Sequence, residues 1–540
     1  MAVLPVLGLF GSKSREGAGK RLSGHPARGI TESYYCDESV DMSLNNKKFQ
    51  RNTNHGNIPA HRQRDYAMPA PHSASQPSPS PSSTYPTTPA GARRILLLDA
   101  TFDDADPFRQ VADRLATLAD SSGAVVSRFC LEQVRLAPCL GDFECWTKTP
   151  GLCRTQDDAQ NIARAFQQAD LVILVTPLRF GGYSPSLKTA LDRLLGVIHP
   201  FFRQGIGVTR HAPRYERYPA LFFIGLEEES SPTARELFTA FAGGNAINLM
   251  APCFHTLALA PTQEAWQEVL EQRFTAALAG RDGEAFPHHP PADALARACL
   301  ADPHLPPSPV RQAALLVGSA RPRGESTSES LARGLAEKLE QQGVSTGLVH
   351  VIDFIKPGRR REAALATLGE ADLLVVAAPL YVDGLPGLAL KALQQIAARP
   401  GRLHRVAGLL NSGYPEAGHN RSAMAQLRCF AHDAGLGWAG GLAMGAGEVL
   451  HGKPLATMPV MLRSQIGALE KAATALAGGL GIPPAASTAM ARPILPAWLF
   501  RLAAKLRWFL DARRQGTPWN ALGARPHELE REEGPVRSGG

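Results

Sequence analysis

The 540-residue chain contains no uninterrupted apolar run near the roughly 18 residues that a bilayer-crossing helix needs, so an integral membrane protein is not expected. Its start, MAVLPVLGLFG, lacks a charged segment before a short apolar stretch and makes a poor secretory signal. The central part also lacks a charge excess of either sign. The net charge is +8, of which residues 1–92 (10 basic, 6 acidic) supply +4 and residues 492–540 (9 basic, 5 acidic) supply +4. Residues 93–491 therefore balance, and a nucleic-acid partner, which wants a basic face on the folded part, is not expected. Eight cysteines are spread over the chain without the density of a disulfide scaffold. Without a secretory signal a reducing, cytoplasmic compartment is expected, and the cysteines read as thiols, metal ligands or redox centres.

What the sequence does contain is punctuated by proline. Residues 1–92, with HSASQPSPSPSSTYPTTPAG at 72–91, are too poor in apolar residues to offset their ordering entropy and read as a disordered tail. From 93 the pattern changes. The runs 93–100, 124–131, 170–177, 220–226 and 253–260 are apolar from end to end and alternate with amphipathic stretches at 107–119, 159–169, 186–198, 232–242 and up to about 279. Strands apolar on both faces, separated by helices, mean a parallel sheet covered on both sides. A Pro-rich linker spans 281–310. The pattern then restarts, with strands at 313–320, 345–353, 372–379, 405–412 and 437–445.

This is an internal repeat. ADLVILVTPL and ADLLVVAAPL match, pairing Asp170 with Asp372, Pro177 with Pro379 and Lys188 with Lys391, at a period of 202 to 203 residues. The fold class is α/β, with two tandem doubly wound domains of five parallel strands each, at 93–280 and 311–480. Residues 481–540 add a C-terminal amphipathic helix and a tail that reads as disordered from Pro526.

The segment LLVGSARPRGESTSESLA (315–332) carries the strongest chemical signal. Gly318 ends a buried strand, Ser319, Ser326, Thr327 and Ser328 surround a helix start, and Arg321 lies between them. Exposed amides at a helix N-terminus, with hydroxyls and a cation, form an anion site. A plain βα turn needs one capping hydroxyl, whereas this segment offers four.

This segment resembles the phosphate loop of flavodoxin-like NAD(P)H-dependent FMN oxidoreductases, a superfamily that includes iron–sulfur flavoproteins. APLYVDGLP (378–386) is similar to their second flavin loop and NSGYPEAGHN (411–420) to the third. The resemblance implies that Ser319, Arg321, Ser326, Thr327 and Ser328 hold the FMN phosphate. It puts Pro379, Leu380, Tyr381 and Val382 on one side of the flavin ring and Asn411, Ser412, Gly413 and Tyr414 on the other. NAD(P)H would be the co-substrate. No protein acid or base is required, so no catalytic residue is assigned. Tyr381, Tyr414 and His419 are candidate substrate contacts, with simple packing as the alternative.

The first copy departs from this pattern. Asp103, Asp104 and Asp106 stand where the phosphate loop should be, and carboxylates there repel a phosphate. One FMN per chain, in the second half, is the expectation. The rest of this copy keeps the resemblance in TPLRFGGYSPSLKTALDR (176–193) and in a Cys-rich loop, PCLGDFECWTKTPGLCRTQDD (138–158). In iron–sulfur relatives such a loop binds a [4Fe–4S] cluster. Here Cys139, Cys145 and Cys153 match, but Asp142 occupies a thiolate position, and such clusters normally use four thiolates. No metal is therefore assigned, and a cluster stays the lesser alternative to a structural or redox-active thiol group.

The C-terminal segment 494–516 reads as a basic amphipathic helix with Leu499, Leu502, Ala503, Leu506, Phe509 and Leu510 in one stripe. Docking of that stripe on the second domain is expected, and membrane contact is not. The functional expectation is an FMN-dependent NAD(P)H oxidoreductase that reduces a small acceptor such as a quinone, azo or nitro compound. The alternatives are an electron-transfer or redox-sensing flavoprotein that uses the Cys loop, and a non-catalytic binding module with a decayed first domain. The linker is long enough for the two copies to pack as an intramolecular pseudo-dimer, with GGYSPS (181–186) or the Cys loop reaching the flavin site of the second half.

Overall fold

The structure is a computed structural model that describes residues 92–102, 107–205, 208–228, 232–286 and 306–528. The N-terminal tail read as disordered, the acidic cluster Asp103, Asp104 and Asp106, Cys36, Cys299 and most of the linker lie outside these residues.

The first half runs β1 (Arg94–Asp99), α1 (Arg109–Ser121), β2 (Val125–Cys130), α2 (Glu144–Thr147), α3 (Ala159–Gln168), β3 (Leu171–Pro177), α4 (Pro185–Asp192), β4 (Ile198–Gly205), β5 (Val208–Pro213), β6 (Ala220–Leu226), α5 (Pro232–Asn248), β7 (Phe254–Leu259) and α6 (Trp266–Ala279). Its parallel sheet has the order β2-β1-β3-β6-β7. The second half runs β8 (Gln312–Val317), α7 (Thr327–Glu340), β9 (Ser345–His350), α8 (Arg359–Glu370), β10 (Leu373–Pro379), α9 (Gly387–Ala398), β11 (Arg405–Asn411), α10 (Arg421–Asp433), β12 (Gly437–Met444), α11 (Arg463–Ala477), α12 (Pro484–Met490) and α13 (Ala497–Arg514). Its order, β12-β11-β10-β8-β9, is the same arrangement read from the other edge. Both are flavodoxin-like, doubly wound sheets, whose crevice lies outside the carboxyl ends of the strands. The apolar runs read from the sequence are these strands. All seven residues of β3 are buried, as a strand covered on both faces requires.

Three readings need correction. The stretch 186–198 is not one helix: α4 stops at Asp192, a 3-10 turn covers Arg193–Val197, and the chain then enters the antiparallel hairpin β4–β5. Burial does not alternate cleanly along β4 and β5, so a period-2 pattern does not mark them. The C-terminal stripe docks only in part: Leu499, Ala503 and Phe509 are half-buried, with Phe509 packed on Phe201 of the first half. α13 buries Phe500, Ala504, Arg507, Trp508 and Ala512, whereas Leu502, Leu506 and Leu510 are exposed. The buried face touches both halves, since Phe500 and Ala504 join the second core and Trp508 joins the first. Finally, Pro526 is placed, packed against Gly151, and His527 is buried.

The halves pack through α4 and α9. Phe180 sits in the core of the second half and Ala425 in that of the first. The Lys188 ammonium, only 1% exposed, pairs with Asp192 and donates to the Tyr381 carbonyl at 2.7 Å. Asp192 accepts the Gly387 amide at 2.9 Å. Lys391, the sequence partner of Lys188, is exposed. The repeat is thus symmetric in fold and asymmetric in charge.

Candidate functional site

Gly318 follows β8 so closely that an added Cβ would lie 2.7 Å from the Ala378 side chain. The chain then turns through 319–325 into α7. Ser326 caps that helix, its hydroxyl accepting the Glu329 amide at 3.1 Å. First-turn amides of a helix have no intrahelical acceptor, so the remaining ones are available to an anion. Ser319, Ser326, Thr327 and Ser328 are all buried here. The Thr327 hydroxyl donates to Gly447 O at 2.7 Å, and Ser328 Oγ accepts from Asn411 Nδ2 at 2.8 Å. Glu329, a carboxylate in the same turn, takes the Gly324 amide at 2.6 Å and pairs with Arg333 and His350. Burial raises its pKa, but these partners outweigh it and hold the carboxyl below its ordinary value. Its charge is met locally and does not bar a phosphate from the loop.

The second and third loops leave neighbouring strands and meet the first. Leu380 N donates to Asn411 O at 2.8 Å, and Pro379 pairs in register with Asn411. Tyr381 and Gly384 exchange backbone hydrogen bonds at 3.0 Å around Val382 and Asp383, both left-handed (φ 43° and 56°). A β-branched residue in that region is strained, and Val382 is held there by the turn and by Asn245, which donates to its carbonyl. The first half repeats this turn with Phe180 and Gly181 between Arg179 and Gly182. Gly413 faces open space: an added Cβ would meet only Glu448, at 3.8 Å. Tyr414 stacks on the buried His419 at 4.1 Å between centroids. Ser412 is buried, and its amide donates to Met444 O.

The three loops therefore converge, but Arg321 does more than face the helix start. Its guanidinium donates from Nε to Gly141 O at 3.0 Å, also from Nη2, and lies 5.3 Å over the Phe143 ring. Gly141 and Phe143 belong to the Cys loop of the first half. Gly141 is left-handed (φ 64°), and a Cβ there would lie 2.0 Å from the Tyr381 hydroxyl oxygen. Only glycine allows this approach. The Cys loop thus rests on the first and second loops of the other half.

Within the Cys loop, Cys139, Cys145 and Cys153 line one pocket with Asp142 and Arg193. Arg193 pairs with Asp157 at 2.7 Å and donates to Cys153 Sγ at 3.4 Å. Burial, then Asp192, pushes the Cys139 thiol up to about 12, against the Gly141 amide. Burial and the neighbouring cysteines push Cys145 well above the ordinary range. Both are neutral thiols at pH 7. Asp142 accepts the Glu144 amide at 3.2 Å and faces Arg154. Among the described residues no group of three His, Cys, Asp or Glu is arranged as a metal site.

Several residues at this site carry no signal in the local sequence. Glu448, in the loop after β12, faces Arg507 of α13 at 3.3 Å and His451 at 3.6 Å. Burial opposes its charge, but Arg321, His451 and Arg507 hold its carboxyl down at about 2. The β4–β5 hairpin reaches the third loop, where Thr209 donates from both its amide and its hydroxyl to Glu416. Phe202 and His211 pack near Tyr414.

The family model for NADPH-dependent FMN reductase matches the chain twice, at 94–211 and 312–439. Each half of the chain thus holds one segment similar to this family. An iron–sulfur flavoprotein of Methanocaldococcus jannaschii is 35% identical over 83 residues, 15% of this chain and 42% of that protein, so the chain matches less than half of that relative's length. Among solved structures, an NAD(P)H:quinone oxidoreductase from Methanothermobacter marburgensis is 13% identical, over 35% of this chain and 96% of its own, with a TM-score of 0.27. An azoreductase from Bacillus anthracis is 15% identical over 35% and 96%, with a TM-score of 0.25.

Among the described residues no helix is long and apolar enough to cross a membrane. The donor set at 319–328 fits an FMN phosphate: helix amides, buried hydroxyls and a nearby guanidinium, with the Glu329 carboxylate met by Arg333 and His350 and Glu325 exposed to solvent.

Proposed function

We propose that this protein is an FMN-dependent NAD(P)H oxidoreductase with one flavin site, in its second half, and that it reduces a small acceptor such as a quinone, azo or nitro compound. The observation that carries the reading is the convergence of the Ser-rich helix start with the 379–382 and 411–414 loops at the carboxyl ends of β8, β10 and β11, inside a matched family segment. FMN, when bound, supplies the hydride chemistry. Ser319, Ser326, Thr327, Ser328 and the α7 amides would hold its phosphate, with Arg321 at the side. Residues 379–382 and 411–414 would bound its ring. The Cys loop and the hairpin would exclude water from the first-half side, so the two halves act as an intramolecular pseudo-dimer.

The test is to purify the full chain, record its absorbance spectrum, quantify released FMN and follow NAD(P)H oxidation. About one FMN per chain is expected. The pair Ser326→Ala and Ser328→Ala should weaken FMN by about 1–3 kcal/mol and riboflavin by much less. Two FMN per chain, or equal losses for both flavins, would refute the assignment. A second reading, electron transfer through the Cys139/Cys145/Cys153 loop, draws on the contact of that loop with Arg321 and Tyr381. Near-stoichiometric iron and sulfide in anaerobically purified protein would favour it; far less is expected.

A further inference from the structure

α13 is amphipathic with the wrong side in. Its buried residues, Phe500, Ala504, Trp508 and Ala512, recur every four positions and fasten it to both halves. Trp508 packs edge-on against Phe143 and Trp146, and Arg507 is paired with Glu448 and Asp511. The helix is therefore held firmly by that face and cannot roll to hide the other.

The other face is apolar and largely uncovered: half-buried Phe509 packs on the Phe201 ring of the β4–β5 hairpin, over which Lys505 also lies. Trp498 is 64% exposed, Leu502 58%, and Leu506 and Leu510 38% each. At about 100° per residue these four sweep an arc of roughly 120°. Half-buried Phe509 lies inside that arc and touches Trp519, which is 74% exposed, so the patch continues past the helix end. Five of the twelve exposed large hydrophobic side chains among the described residues thus fall within 498–519, a concentration that scattered surface residues do not show.

The charges of the helix itself are nearly all of one sign. The helix has five basic residues and one acid, Asp511, which Arg507 and Arg514 already engage. Lys505 and Arg513 are exposed at or within the edges of the arc. Leucines and phenylalanine in the middle, tryptophans at both ends and lysine or arginine around them match an anionic lipid surface. Tryptophan prefers the headgroup level, leucine the acyl boundary, and the cations the anionic headgroups. The helix is not built to cross.

We propose that the exposed face of α13, with Trp519, seats this protein on the surface of an anionic bilayer. The test is co-sedimentation of the full chain with vesicles of phosphatidylcholine alone or mixed with phosphatidylglycerol. Binding to the anionic vesicles is expected to be at least about tenfold tighter than to the neutral ones and to weaken as salt rises. Tryptophan emission should shift to the blue on binding. Leu502→Glu with Leu506→Glu should remove binding, and Lys505→Glu with Arg513→Glu should remove the preference for anionic lipid, with circular dichroism unchanged in both. All four residues point to solvent, so these variants should fold, and the lipid and salt comparisons need no variant. A wild-type chain that ignores anionic vesicles overturns the proposal. So does a leucine variant that binds vesicles as the wild type does. If instead that variant abolishes self-association in lipid-free solution, the face belongs to a second copy of the chain and the proposal fails.

Discussion

Gly141→Ala is the sharpest probe of whether the first half shapes the site in the second. Two costs add at this position. A left-handed φ of 64° costs an L-residue about 1–2 kcal/mol. The new Cβ would also lie 2.0 Å from the Tyr381 hydroxyl oxygen, where overpacking costs about 1–3 kcal/mol more. The single variant should therefore lose roughly 2–5 kcal/mol. The second cost can be removed separately. Without the Tyr381 hydroxyl the nearest ring atom is 3.1 Å from the added Cβ, tight but tolerable. Adding Tyr381→Phe should thus recover about 1–2 kcal/mol of the loss, leaving the backbone cost. The cycle is read by urea denaturation of the four proteins, with FMN affinity measured alongside. Because Arg321 also rests on Gly141, FMN should weaken in the single variant and partly recover in the double. Strictly additive effects of Gly141→Ala and Tyr381→Phe would refute the packing of the Cys loop on this tyrosine.

Glu448→Gln tests the Arg321–His451–Arg507 surround. The Glu448 pKa is depressed, from an ordinary 4.5 to about 2, so its contribution is complete above about pH 4.5 and lost as pH falls through 2. The wild type should exceed the variant by roughly 3 kcal/mol at pH 7, and the difference should shrink across that acid window in pH-dependent denaturation. Lys188→Ala leaves Asp192 buried without its cation and should cost about 3–5 kcal/mol, whereas Lys188→Met with Asp192→Asn, which keeps an acceptor for the Gly387 amide, should recover most of it. Equal denaturation midpoints for the single and the double variant would show that the charge of Asp192 is not the source of the cost.

The apolar runs at 95–98, 171–175, 313–317 and 373–378 determined the parallel sheets without help from the rest of the chain, because a strand buried on both faces needs apolar residues at every position. The repeat and the glycine and hydroxyls at 318–328 likewise marked the helix start where an anion belongs, since that chemistry is local to one βα unit. The tertiary structure decided the rest. No local pattern says that Arg321 reaches Gly141 some 180 residues earlier, or that Thr209 reaches Glu416. Lys188 and Lys391 occupy matching places in the repeat, yet one is buried in an ion pair and the other is in water. α13 carries two apolar faces, one of leucines and one of Phe500, Ala504 and Trp508, and hydropathy favours the leucines. Phe143, Trp146 and both cores select the other face, because its aromatic rings fill space that only the folded halves create.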